Sequence, residues 1–398
     1  MLLLVSLLLS LGLAEIAVRR FCSTPRYPYI VVANDKVGFL MRPGFVGRAS
    51  NMFGDYDSAI QINKEGFRDT DHPLAKSDKR RIAFLGDSFT FAEQVEESES
   101  FARRVETLLN QKRAGNLPSV EVMNFGIGGY DIPQYVQCYE AFVSKYRPDA
   151  VVVAVYVDND LLNSAFYLLE HGFGRPYFRL KDGKLEEMPA DLAQLEANYK
   201  KYQKRLRLRW YHHSHLYNRQ KLVLWNIRQK FNLRSAQKNN PALSVDKLWK
   251  KSGYRNYRYY AQGLHDPIVA EADAVTRLLL QRLQADVEKD GGCLYIALLP
   301  APENLHPEIW PERIKSLPGL EKFPMDFDRP FKEVSLALPD LAKRRDIFDT
   351  RPALRKAAKQ GPIFYPVDCH YNQRGQEAVA QEIAEQLEPR VYSKSRQD

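Results

Sequence analysis

The stretch "RIAFLGDSFT", Arg81 to Thr90, decides the fold. An uncharged apolar run, Ile82 to Leu85, stops at Gly86-Asp87-Ser88. A short apolar run bounded by turn residues reads as a buried strand that turns into a helix. The hydroxyl of Ser88 then has two readings. It can be an N-cap, a position that serine favours, or a nucleophile that needs a neighbouring base. The decision lies in distant parts of the chain.

An α/β rhythm continues from there. Phe101, Val105, Leu108 and Leu109 predict a helix over 98–111, and a strand follows at 120–125. Pro133 opens a predicted helix over 133–146, periodic in Tyr135, Tyr139, Phe142 and Tyr146. Residues 150–157 carry no charge, as a strand buried on both faces requires. The rhythm breaks at about 161–267. It resumes with a helix over 270–289, a strand at 293–299, a short strand at 346–348 and a helix over 373–387. These βα-like units predict a flavodoxin-like three-layer α/β/α sandwich on a parallel five-stranded sheet. The domain spans 79–390 and carries a large basic helical insertion at about 161–267, an irregular lead-in at 23–78, in which Ile60 to Ile62 read as a short strand that turns at Glu65-Gly66, and a tail at 391–398.

The chain has 398 residues, is 44% hydrophobic and 27% charged, and carries a formal charge of +9. That composition excludes wholesale disorder. The charge is local: residues 200–260 hold 17 Lys/Arg against Asp246 alone, so this stretch is +16 and the remainder is −7. Cys22, Cys138, Cys293 and Cys369 match no metal or redox spacing, and free thiols are expected. His212, His213 and His215 cluster without further metal ligands and read as a solvated or interfacial group. Residues 1–22 open "MLLLVSLLLSLGLAEIAVRRF". Leu2 to Ala14 are short for a spanning helix but suit a signal peptide or a membrane anchor. Arg19 and Arg20 follow the run, which opposes export of what comes next.

In an open parallel sheet, function sits at the carboxyl ends of the strands. Four blocks collect there: Gly86-Asp87-Ser88, "NFGIGGYDIPQ" (124–134), Asp158-Asn159-Asp160 and "YPVDCHYNQRG" (365–375). This set suits acyl transfer. His370 can take the proton of Ser88, and Asp368 can orient the imidazole and stabilise its cation. The Ser88 N–H, the Gly129 N–H and the Asn159 amide can hold an oxyanion. Such a reaction requires no metal and no cofactor.

In this order the blocks resemble those of the SGNH (GDSL-type) hydrolases, from about Arg81 to Leu387, and "INKEGFRD" (62–69) resembles a bacterial envelope-associated branch. By position, the resemblance implies Ser88 as nucleophile and Asp368 and His370 as its partners. It implies Ser88, Gly129 and Asn159 as oxyanion donors, and Asn372 as a polar residue after the histidine. Two departures stand out. Asp158 replaces a frequent glycine, which puts a carboxylate beside the oxyanion donor. Asp and His lie two residues apart rather than three, a mark of envelope-polysaccharide esterases and acyltransferases.

Asp87 reads as a structural turn residue, Asp160 as a helix cap or supporting residue, and Cys369 as a small filler. The expected activity is a serine esterase acting on ester groups, O-acetyl above all, of an envelope or extracellular glycan. The alternatives are an O-acyltransferase on the same substrates and a catalytically silent glycan-binding or assembly protein. Expected partners are an acylated carbohydrate or other small ester and a membrane, reached through the N-terminal segment; the basic insertion reads either as a solvated helical surface or as a dock for an anionic membrane or an acidic polysaccharide, and no nucleic acid is expected. The expected location is exported: membrane-associated, periplasmic or extracellular.

Overall fold

A computed structural model of the chain describes residues 2–21, 31–51, 55–113, 115, 117–169, 174–207, 255–317 and 319–392, with isolated positions between 214 and 224. Most of the +16 stretch, the histidine cluster and the end of the tail therefore lie outside the described residues. The order begins with helix α1 (Leu2–Phe21), then two antiparallel hairpins, β1 (Val31–Asn34) with β2 (Gly38–Met41) and β3 (Val46–Ser50) with β4 (Asp57–Gln61). The expected irregular lead-in is thus partly built from strands. Its strands are four or five residues long, and β3 and β4 carry no apolar run like those of the main sheet.

The central sheet follows. It comprises β5 (Arg80–Gly86), β6 (Val120–Asn124), β7 (Ala150–Tyr156), β10 (Cys293–Leu299) and β11 (Ile347–Asp349). The strands lie in the order β11-β10-β7-β5-β6, and every neighbouring pair is parallel. This is the flavodoxin-like order. The chain passes from β5 to β6 on one side, then crosses back to β7 on the other, which opens a crevice at the carboxyl end of β5.

Alternation along the strands builds the three layers. Ile82, Phe84, Val152 and Ala154 face one core, shared with Phe101, Val105 and Leu109 of α3 (Phe101–Lys112) and with Val379, Ile383 and Leu387 of the last helix, Gln373–Tyr392. Ala83, Leu85, Val151, Val153 and Val155 face the other. There they meet Tyr135 and Val136 of α4 (Ile132–Cys138) and Val275, Leu279 and Leu283 of helix Pro267–Lys289. The segment predicted as one helix over 133–146 keeps its aromatic spacing. It is α-helical only to Cys138, with a π turn at Tyr139–Val143 and a 3-10 turn at Ser144–Tyr146.

The insertion opens with short α5 (Asp160–Asn163) and includes an unforeseen hairpin, β8 (Tyr177–Lys181) with β9 (Lys184–Met188), before helix Leu192–Arg207. The hairpin turns at Asp182-Gly183, both at positive φ. In α1 the leucines face outward, Leu3 at 87% and Leu13 at 68% exposure. Among the described residues no helix is long and apolar enough to cross a membrane. Cys138 and Cys369 are free thiols.

Candidate active site

Ser88 is the first residue of the single-turn helix α2 (Ser88–Phe91), set directly after β5. Asp87 caps the turn, its Oδ1 accepting the Phe89 N–H at 2.9 Å. Gly86 is needed for close approach: a Cβ there would lie 1.9 Å from Thr90 Oγ1, so any side chain would push α2 off the strand end. "LGDS" is therefore a strand end that packs tightly under the helix that carries the serine.

Ser88 and the Asp–His loop meet across 282 residues. His370 Nε2 lies 2.8 Å from Ser88 Oγ, and His370 Nδ1 lies 2.6 Å from Asp368 Oδ1. The loop is held in place from several sides. Tyr365 N–H donates to the His370 carbonyl at 2.9 Å, and Tyr365 O–H donates to the Gln94 carbonyl at 2.9 Å. The Phe89 ring lies 4.7 Å from the imidazole, centroid to centroid, and stacks on Tyr156 at 4.1 Å. Among the described residues Asn372 makes no hydrogen bond to the imidazole. Its amide donates to the Pro362 carbonyl at 2.8 Å, and its Oδ1 accepts the Gly375 N–H, fixing the start of the last helix.

The electrostatics favour a charged imidazole. Burial works against the imidazolium, but the hydrogen bond and charge of Asp368, with Asp87 and Glu93 behind it, raise the His370 pKa above its ordinary 6.5. Asp87 is itself pushed up to about 6, chiefly by burial. Asp131, after the glycine loop, is pushed up to about 7 by burial, against the opposing charges of Arg175 and Arg255. Burial and the Asp87 charge raise Asp160 well above the usual carboxylate range.

The glycine loop lies against the serine turn. Ile127 N–H donates to the Gly86 carbonyl at 3.1 Å, and a Cβ on Gly128 would sit 3.6 Å from Ser88 Cβ. Gly129 takes φ +85°, and its carbonyl accepts from Arg175 Nη1 at 3.0 Å. Asn159 stands five residues beyond Ala154, which pairs with Gly86 across the sheet. Among the described residues, the Ser88 N–H, the Gly129 N–H and the Asn159 Nδ2 donate to no protein group, so all three stay available for an oxyanion.

Three expectations change. Asp160 is the first residue of α5 rather than its cap; Asn159 holds the cap position, without a side-chain bond. Asp160 Oδ2 instead accepts from Tyr135 O–H at 2.7 Å and from the Tyr156 N–H at 2.9 Å. The Asp158 carboxylate is turned onto other partners: Oδ2 accepts from Asn256 at 2.7 Å and Oδ1 from Tyr260 O–H at 3.2 Å, and burial raises it to about 6. Cys369 is exposed at φ +68° rather than a packed filler, because the two-residue Asp–His spacing needs a tight reversal there. Phe89, Glu93, Asp131 and Arg175 shape the site but were not foreseen. Phe89, in "RIAFLGDSFT", and Asp131, in "GGYD", lay within stretches already singled out.

A family described as SGNH hydrolase-like domain, acetyltransferase AlgX, matches residues 259–398, which include Asp368 and His370 but not Ser88. No curated protein matches. Among solved structures, TesA is 10% identical over 78% of this chain and 99% of its own, with a TM-score of 0.38. A member of the lipolytic protein G-D-S-L family from Veillonella parvula is 11% identical over 77% and 97%, with a TM-score of 0.36. A catalytic mutant of Axe2, an acetylxylan esterase from Geobacillus stearothermophilus, is 12% identical over 77% and 94%, with a TM-score of 0.35. Residues 259–398 thus match the SGNH hydrolase-like family, and the all-parallel sheet with the four blocks at its carboxyl edge gives the chain an SGNH-like α/β fold.

Proposed function

We propose that the protein is a serine acyl-transfer enzyme that moves an acyl group, acetyl above all, to or from hydroxyls of an envelope or extracellular glycan. One observation carries this reading: the hydrogen-bonded line from Asp368 through His370 to Ser88 Oγ. In the reaction, Ser88 Oγ attacks the ester carbonyl carbon while its proton passes to His370 Nε2. The oxyanion forms within reach of the N–H groups of Ser88 and Gly129 and the Asn159 amide. The C–O bond to the leaving alcohol breaks, that oxygen takes the proton from His370, and an acyl-Ser88 ester remains. Water or a sugar hydroxyl then gives its proton to His370 and attacks the acyl carbon; the bond to Ser88 Oγ breaks and that oxygen takes the proton back from His370. Water makes the enzyme an esterase; a sugar makes it an O-acyltransferase. The acetyltransferase in the family's description supports acetyl as the group and transfer as one outcome.

Treatment of the full chain with a fluorophosphonate probe, followed by peptide mapping, tests the reading. Labelling confined to Ser88, and abolished in Ser88→Ala, is expected. A folded protein that remains unlabelled at Ser88 refutes it. The outward leucines of α1 support a membrane-associated location. Deleting residues 1–22 should release the protein from the membrane fraction; unchanged fractionation removes that part.

A further inference from the structure

Asp55, Arg68 and Asp69 lie in the hairpin segment before the sheet, and no step of the acyl transfer uses them. Each is tied to a different catalytic loop. Arg68 is 1% exposed, and its guanidinium reaches four main-chain carbonyls. Nη1 donates to Phe91, at 3.1 Å, and to Ala92; Nη2 donates to Ala59 at 2.7 Å and Val95 at 2.8 Å. The N–H groups of Phe91 and Ala92 bond back to the carbonyls of Asp87 and Ser88, both at 2.9 Å. The guanidinium therefore grips the far end of the one-turn helix whose first residue is Ser88. Burial lowers Arg68 to about 10, so it stays charged at neutral pH. An apolar side chain could fill this space without the cost of burying a charge. What it could not do is satisfy the carbonyls at the end of α2.

Asp69 holds the second loop. Its Oδ2 accepts the Asn124 N–H at 2.6 Å, and Asn124 in turn accepts from Gly126 N–H and donates to the Thr90 carbonyl. The glycine loop is thereby fixed to both the hairpin segment and α2. Asp55 holds the third. Its Oδ2 accepts the Asp368 N–H at 3.0 Å, and Asn51 braces the same oxygen through Nδ2 at 3.0 Å.

We propose that Asp55, Arg68 and Asp69 are positioning residues, making the segment from Asp55 to Asp69 a clamp that sets the nucleophile turn, the glycine loop and the Asp–His loop relative to one another. The inference rests on the acyl-transfer reading above. Its physical basis is that Ser88 and His370 come from ends of the chain far apart, whereas proton transfer tolerates little displacement. A misplacement of ~1 Å can cost about 100-fold in rate.

Asp55 gives the sharpest test, because asparagine keeps an oxygen for the Asp368 N–H and alanine does not. Full-length wild type, Asp55→Ala and Asp55→Asn are compared for the rate of fluorophosphonate labelling at Ser88, for kcat and KM on an aryl acetate across pH, and for thermal midpoint. Asp55→Ala should lose about 10- to 100-fold in labelling rate and kcat with KM little changed. The acidic limb of its rate profile should move to lower pH as Asp368 loosens from His370. Asp55→Asn should recover most of the rate. Wild-type labelling by Asp55→Ala, or an Asp55→Asn as slow as alanine, overturns the clamp while acyl transfer stands. A wild type that does not label removes the acyl-transfer reading itself.

Discussion

Asp131→Asn isolates what the site's buried acids cost the fold. Asp131 is 2% exposed, its Oδ1 has no hydrogen-bond partner among the described residues, and burial pushes it up to about 7. The folded protein therefore holds this proton more tightly than the unfolded chain, whose aspartate titrates near 3.8. A raised carboxyl pKa means that stability is highest below the unfolded value and falls as pH climbs through the folded one. Three units of difference correspond to about 4 kcal/mol between pH 4 and pH 8. Asparagine has the same shape and no charge, so it escapes that loss. Its amide N–H₂ can itself go unsatisfied, at about 1–3 kcal/mol, but that cost does not vary with pH. Urea unfolding of both proteins at pH 4, 5.5, 7 and 8 separates the two effects. The variant should gain on the wild type steadily across this range and be the more stable protein at pH 8. A difference that stays constant from pH 4 to pH 8 refutes the reasoning, whatever its sign.

Asp368→Asn should lower kcat on an aryl acetate by about 10³- to 10⁴-fold, because the amide favours the wrong imidazole tautomer; a loss below tenfold would mean that Asp368 does not orient His370. The acidic limb of kcat/KM should inflect above pH 6.5, since the base must be neutral and its pKa is raised. Glu93→Gln should shift that limb downward, and a limb that stays put would remove Glu93 from the site's electrostatics. Asn159→Ala should lower kcat about 10²- to 10³-fold with KM little changed if its amide serves the oxyanion; a change confined to KM would assign it to substrate binding.

The central sheet was legible because its residues announce it. "RIAFLG" and "AVVVAVYV" read as strands buried on both faces, and the periodic segments after them read as the crossover helices of a parallel sheet. Ser88, Asp368 and His370 were legible for a related reason: strand ends are turns, and a parallel sheet gathers them on one edge. Of the hairpins before the sheet, only β4 was legible in part, as a short strand at 60–62; β1, β2 and β3 are ordered by contacts that sequence spacing does not display. Asp55 is the clearest case. Nothing in "NMFGDYD" indicates that its carboxylate meets an N–H 313 residues away. Asp158 shows the converse failure. Its place beside Asn159 put a carboxylate next to an oxyanion donor, but Asn256 and Tyr260, near the end of the long insertion, take up its charge.

The position of Asp87 makes the titration of the site more than that of one histidine. Its carboxylate helps to raise the His370 pKa, and its own pKa is pushed up to about 6, into the range where the imidazole gains its proton. Protonating Asp87 removes a negative charge and so lowers the affinity of His370 for its proton; protonating His370 likewise holds Asp87 ionised for longer. Two groups that bind protons at each other's expense titrate over a wider range than either alone, with apparent values that belong to the pair. The acidic limb should accordingly be shallower than a single ionisation. In Asp87→Asn, where the amide oxygen can still cap the Phe89 N–H, it should become steeper and move to lower pH. If that limb keeps its slope and midpoint, the charge of Asp87 does not reach His370, and its part in the site is limited to capping the turn that presents Ser88.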